Sequence, residues 1–278
     1  MLSKSQIGLN RIIYPRVGID EFFALTAELG LHKVELRNDL PGKQIIDGLS
    51  PERVRELAAT YGIEILTINA LQKFNLPEHR PEAALELKSL IDLALSIDCR
   101  AVVLCPNNDP GDSRSGDQAL RDTIDSLREF RPLFEDSGVL GYVEPLGFSE
   151  SSLDSVFAAA GAIGEAGSDC FRIVYDTFHH YLGPDEGQRL IEEFEVSLLG
   201  IVHASGVEED LAREDMKDEH RVLITDRDRM GNIEQIERLT SMGYRGNVSL
   251  EPFSTQVQDM EKKDFLKAAA RCIEVLTR

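Results

Sequence analysis

Eight times along this chain of 278 residues, a short apolar run gives way to a longer segment whose apolar residues recur at helical spacing. The runs at 6–13, 33–37, 63–69, 100–105, 139–144, 171–176, 199–203 and 246–251 read as strands. Helical period covers 19–29, about 51–62, 81–97, 117–136, 151–166, 186–196, 232–242 and 260–276. The helix ends are punctuated as expected: Ser50-Pro51-Glu52 is an N-cap with proline at the first helical position, and Gly30 and Gly62 stand where helices stop.

Strand and helix in strict alternation require a parallel sheet with helical crossovers. Eight repeats in this length predict closure into a single (β/α)8 TIM barrel, one domain over 1–278, with no Pro/Gly/Ser-rich linker or low-complexity tract to divide it. A doubly wound open sheet is the competing fold, but no Gly-x-Gly-x-x-Gly follows the first strand.

In such barrels chemistry sits at the carboxyl ends of the strands. Strands five to eight end on Glu144, Asp176, His203 and Glu251, one potential metal ligand each. A lone acid or histidine at a strand end is usually a satisfied polar group, yet four on adjacent strands converge. Without a cation three crowded carboxylates would repel, and at least one would protonate. Two Glu, one Asp and one His suit one divalent ion, Mn2+, Mg2+, Co2+ or Zn2+, without choosing among them.

The net charge of −19 keeps the chain soluble and repels polyanions, which argues against nucleic acid as a partner. Four scattered cysteines with no Cys-x-x-Cys pair, no apolar leader at the N-terminus and no membrane-length apolar run predict a cytoplasmic protein with reduced thiols and no membrane partner. The apolar helix faces suit packing on the barrel or on a second copy, so a homo-oligomer stays open.

The four strand-end motifs are Val143-Glu144-Pro145-Leu146, Tyr175-Asp176-Thr177-Phe178-His179, Val202-His203 and Leu250-Glu251-Pro252-Phe253. With them, nearly the whole chain resembles the xylose isomerase-like barrels, and the ligand spacings of 32, 27 and 48 residues look like the inosose isomerase and ketose 3-epimerase branch. The resemblance implies that Glu144, Asp176, His203 and Glu251 hold the metal and that Glu144 and Glu251 also transfer protons. It implies substrate contacts for Glu150, His179 and Arg221, the last in Asp218-x-x-Arg221. Glu150 also reads as a helix N-terminal carboxylate. After Arg221 the chain departs from the branch, which continues Pro-Gly-x-Gly-x-Ile where this sequence has Ile224-Thr225-Asp226-Arg227-Asp228-Arg229-Met230-Gly231-Asn232-Ile233.

These residues point to a metal-dependent isomerase or epimerase of an unphosphorylated keto-sugar or keto-inositol, acting by proton abstraction beside a carbonyl. An inosose dehydratase-like lyase begins with the same step. An endonuclease IV-like nuclease shares Asp176-x-x-His179 but needs further histidines where this chain has Asn69 and Pro106-Asn107-Asn108. A sugar-binding barrel without turnover would have no need of both glutamates. Glu35 and Arg37 on the second strand either reach the barrel mouth or pair with each other inside it. Asn69 and Asn107 are candidate hydrogen-bonding groups, Phe74, Phe148 and Phe253 candidate pocket walls, and Cys105 reads as a buried free thiol.

Overall fold

Eight parallel strands hydrogen-bond in chain order and close on themselves, the first pairing with both the second and the eighth. This is the arrangement of a computed structural model that describes residues 2–278. The strands are β1 (Ile7–Asn10), β2 (Lys33–Arg37), β3 (Glu64–Leu71), β4 (Ala101–Leu104), β5 (Leu140–Val143), β6 (Phe171–Asp176), β7 (Leu199–Ala204) and β8 (Asn247–Leu250). Helices α1 (Ile19–Glu28), α2 (Pro51–Tyr61), α3 (Arg80–Ser96), α4 (Gly116–Ser137), α5 (Val156–Ala166), α6 (Thr177–Leu182), α7 (Gly187–Glu193), α8 (Asn232–Ser241), α9 (Thr255–Gln258) and α10 (Lys262–Thr277) fill the connections. The expected closed (β/α)8 barrel is what forms.

Strands covered on both faces must be apolar on both faces, and nearly every strand residue is buried. Side chains of one parity face the helices and merge into the large outer core, with Phe22, Phe23, Phe130, Phe134 and Phe265 among its largest members. Side chains of the other parity point into the lumen, where Leu66, Val103, Val174 and Ile201 form a smaller apolar plug. The next inward position on the later strands is polar: Val174 is followed by Asp176, and Ile201 by His203. The plug thus forms an apolar floor, and the site residues stand one step above it, toward the carboxyl ends.

Several boundaries differ from expectation for local reasons. The first strand stops at Asn10 rather than running to 13, because the Asn10 side chain accepts the Ile12 N–H and turns Arg11–Ile13 into a 3-10 turn. The helix expected over 151–166 begins only at Val156, where the Ser155 hydroxyl caps the Phe157 and Ala158 N–H groups and Asp185 holds both Ser155 and the Val156 N–H. The helix expected over 186–196 is confined to α7. Helix α6, unanticipated, starts directly on Asp176, whose Oδ1 accepts from the N–H groups of Phe178 at 2.7 Å and His179 at 3.2 Å. All four cysteines are free and buried. Among the described residues no helix is long and apolar enough to cross a membrane.

Candidate metal centre

The strand ends bring Glu144, Asp176, His203 and Glu251 together: one donor atom from each lies within 4.8 Å of the others, and all four residues are buried. The register explains it. Asp176 and His203 are direct partners across β6 and β7, while Glu144 and Glu251 each fall one residue past the end of a strand, β5 and β8. Because Asp176 uses Oδ1 to cap α6, Oδ2 is left facing the cluster.

His203 sits at the centre of the electrostatics. Its Nδ1 lies 2.8 Å from Glu144 Oε1 and 3.3 Å from Glu251 Oε2, and its Nε2 lies 3.0 Å from Glu35 Oε2. Burial disfavours the imidazolium, but Glu251, Glu35 and Glu144 outweigh it and hold the His203 pKa well above its ordinary value. Burial likewise works against the Glu251 anion, yet His203, Arg221 and Arg37 push its pKa well below the usual carboxylate range. Asp176 goes the other way: burial raises its pKa despite Arg221. Burial and the neighbouring Glu144 push the Cys105 thiol well up. Its Sγ lies 3.4 Å from Glu144 Oε2, so it is a weak neutral donor rather than a nucleophile.

Two buried arginines counter part of this charge. Arg221 Nη2 reaches Asp176 Oδ2 at 2.6 Å and Glu251 Oε2 at 2.9 Å, and Arg37 Nη1 reaches Glu251 Oε1 at 2.7 Å. The Phe253 ring stacks against both guanidiniums, 4.6 Å from Arg221 and 5.1 Å from Arg37, and Phe178 covers Arg221 at 4.9 Å. Four buried carboxylates, Glu35, Glu144, Asp176 and Glu251, therefore meet two buried guanidiniums. Carboxylates outnumber guanidiniums around the cluster, which suits a cation.

The histidine supports the same fit. If Nε2–H donates to Glu35, the Nδ1 lone pair is aimed at two anionic oxygens, an arrangement that repels unless a proton or metal ion lies between them. Three carboxylates and one imidazole, all buried, could hold such an ion through Glu144, Asp176, His203 and Glu251.

The other expected site residues fall out differently. Arg221 is buried, with Nη2 on Asp176 and Glu251. His179 is buried on α6, edge-on to Phe148 and Phe178, and its Nδ1 has no partner. Glu150 is exposed on the loop after β5, six residues before α5 begins, so it does not cap that helix; its side chain accepts a hydrogen bond from the Ser149 hydroxyl. It lines a cavity of about 620 Å³ at the barrel mouth with Phe148, Asp154, Lys217 and Asp218.

Glu35 and Arg37 reach the centre but, among the described contacts, not each other. Arg37 bridges Glu251 and Asp39, while Glu35 accepts from Thr67 Oγ1 at 2.6 Å, Asn69 Nδ2 at 3.2 Å and Asn10 Nδ2 at 3.3 Å. Asn10, singled out by nothing in the sequence, also donates to Glu251 Oε1 at 3.1 Å. Asn107 belongs to a loop network with Asn75 and Asp112, and Phe74 to the outer core.

Residues 23–275 match the family model of the xylose isomerase-like TIM barrel, and the chain belongs to that family. A xylose isomerase domain-containing protein from Salmonella typhimurium LT2 shares 37% identity over 100% of this chain and 99% of its own, with a TM-score of 0.93. IolI, crystallised with a zinc atom, superposes with a TM-score of 0.88 at 20% identity over 98% of both chains. D-psicose 3-epimerase from Clostridium cellulolyticum H10, solved with D-tagatose, gives 0.77 at 18% identity over 98% of both chains. A search of curated proteins returned no match.

Proposed function

We propose that this protein is a divalent-metal-dependent isomerase or epimerase of an unphosphorylated keto-sugar or keto-inositol, with Glu144, Asp176, His203 and Glu251 holding the ion. The observation that carries the reading is the buried convergence of three carboxylates with the His203 Nδ1, which is aimed at two of them. The solved epimerase of the same fold adds support for a carbohydrate substrate. The mouth cavity favours a neutral one, since Glu150, Asp154, Glu214, Asp218 and Glu219 outnumber Arg213 and Lys217 on its walls and would repel a phosphate.

When bound, the ion supplies Lewis-acid polarisation of a substrate carbonyl, which acidifies the neighbouring C–H. The protein supplies the proton transfers. Glu144 is the better first base: Oε1 faces His203, and Oε2 meets only the weak Cys105 thiol. Both oxygens of Glu251 are pinned by guanidiniums, which lowers its basicity. Glu144 thus removes the α-proton; returning it to the adjacent carbon, while the substrate hydroxyl proton passes to the former carbonyl oxygen, gives isomerisation. Epimerisation needs Glu251 first to take a proton from the solvent and deliver it to the same carbon from the opposite face, Glu144 then releasing the abstracted proton to the solvent. His179, on α6 beside the cluster, offers a hydrogen bond to a substrate hydroxyl. Arg221 fixes Asp176 and Glu251 in place, Phe178 and Phe253 shield its guanidinium from water, and Glu150 meets the distal end of the substrate from the rim.

Incubation of Mn2+- or Mg2+-loaded protein in D2O with a panel of ketoses and inososes, followed by proton and carbon NMR, tests this. Chelator-sensitive loss of an α-proton signal with a new isomer peak is expected, slowed about 10³-fold in Glu144→Gln. Exchange accompanied by loss of water would reassign the chain to the lyases. No exchange with any compound in metal-loaded protein would contradict the reading.

A further inference from the structure

The quartet comes from β5 to β8, but the histidine is steered from the opposite wall of the barrel. Glu35 on β2 is fully buried and takes the Nε2 side of His203 at 3.0 Å. Three further donors from β1 and β3 converge on its carboxylate: Asn10 on Oε1, and Thr67 and Asn69 on Oε2. Asn69 is itself oriented by a 2.8 Å hydrogen bond to Thr67 Oγ1. A carboxylate tethered at this many points has little freedom to rotate, so its acceptor oxygen is presented to Nε2 in one direction.

From this geometry we infer that Glu35 is a positioning residue for the metal centre, fixing His203 in the Nε2–H tautomer so that Nδ1 is the ligand atom, with Asn10, Thr67 and Asn69 as its scaffold. The inference rests on the reading of the quartet as a metal site. A neutral imidazole has one N–H and one lone pair, and the partner of one nitrogen decides what the other can do. With an anionic acceptor on Nε2, the proton stays there and the lone pair points at Glu144 and Glu251. The same contact enriches the electron density of the ring and strengthens Nδ1 as a donor to a cation. Asn10 extends the device, because its amide touches Glu35 Oε1 and Glu251 Oε1 together and ties the orientation of one carboxylate to that of the other.

The test is titration of chelator-treated protein with Co2+, followed by calorimetry and by the visible absorption of the bound ion, which reports ligand identity and geometry. Glu35→Leu removes the acceptor and is expected to weaken Co2+ binding about 10- to 100-fold and to shift the visible band. Glu35→Gln keeps a neutral oxygen facing Nε2–H and is expected to recover part of the lost affinity and the native band position. If Glu35→Leu does not fold, the Gln variant still decides, since its affinity should fall measurably below wild type at equal far-UV dichroism. Folded variants that bind Co2+ as tightly as wild type with an unchanged band would overturn the positioning role alone. A wild-type chain that takes up no divalent ion would overturn the metal reading and this inference with it.

Discussion

At the scale of single residues, the site shows how burial and charge compete. His203, Glu251 and Asp176 are all buried, yet charged neighbours overcome burial at the first two while burial prevails at Asp176. A cleaner case lies outside the centre. His180 on α6 lies tilted against the Tyr175 ring, its Nδ1 has no partner, and burial with help from Arg238 and Arg213 against Asp185 lowers its pKa from 6.5 to about 4. Between those values the unfolded chain binds a proton that the folded chain refuses. Stability from this residue is therefore complete above about pH 6.5 and lost as pH falls toward 4. Urea titrations from pH 7 to 4 should show wild type losing on the order of 2 kcal/mol more than His180→Phe, which keeps the ring contact with Tyr175 and cannot charge. Parallel pH profiles for the two proteins would refute it.

At the scale of elements, the strand-end acids were legible because strand period and barrel topology together fix where an inward residue one step past an apolar plug must stand. Asp176 and His203 are read off β6 and β7 in this way, and the structure brings their atoms together with those of Glu144 and Glu251. The roles of Glu35 and Arg37 were not legible: alternating Glu and Arg on one strand reads equally as an internal ion pair, and the partners that decide otherwise, His203 and Glu251, lie 168 and 214 residues away. Helix α6 was missed because its start depends on one side chain, Asp176, serving as cap and cluster member at once. That double duty makes α6 a sensitive element. A Cβ on Gly147 would collide with the carbonyl oxygen of His179 and come within 2.8 Å of the Gly183 N. Gly147→Ala should therefore displace α6 and destabilise the protein by about 1–3 kcal/mol, read as an earlier urea midpoint. An unchanged midpoint would show that the β5 loop yields freely.

At the scale of the whole molecule, the two halves of the barrel divide the labour. Strands β5 to β8 end on the four residues that could hold a metal ion, while β1 to β3 supply Asn10, Glu35, Arg37, Thr67 and Asn69, which contact them or one another across the lumen. A closed sheet is what allows residues so distant in sequence to share one centre. The net charge of −19 adds a long-range attraction for cations to the carboxylates gathered at the centre. The most direct measurement is calorimetric titration of chelator-treated protein with Mn2+, alongside Asp176→Asn and His203→Ala. We predict one ion per wild-type chain, with affinity reduced at least about 10-fold in each variant. Absence of a stoichiometric site, or equal affinity in all three proteins, would contradict the account.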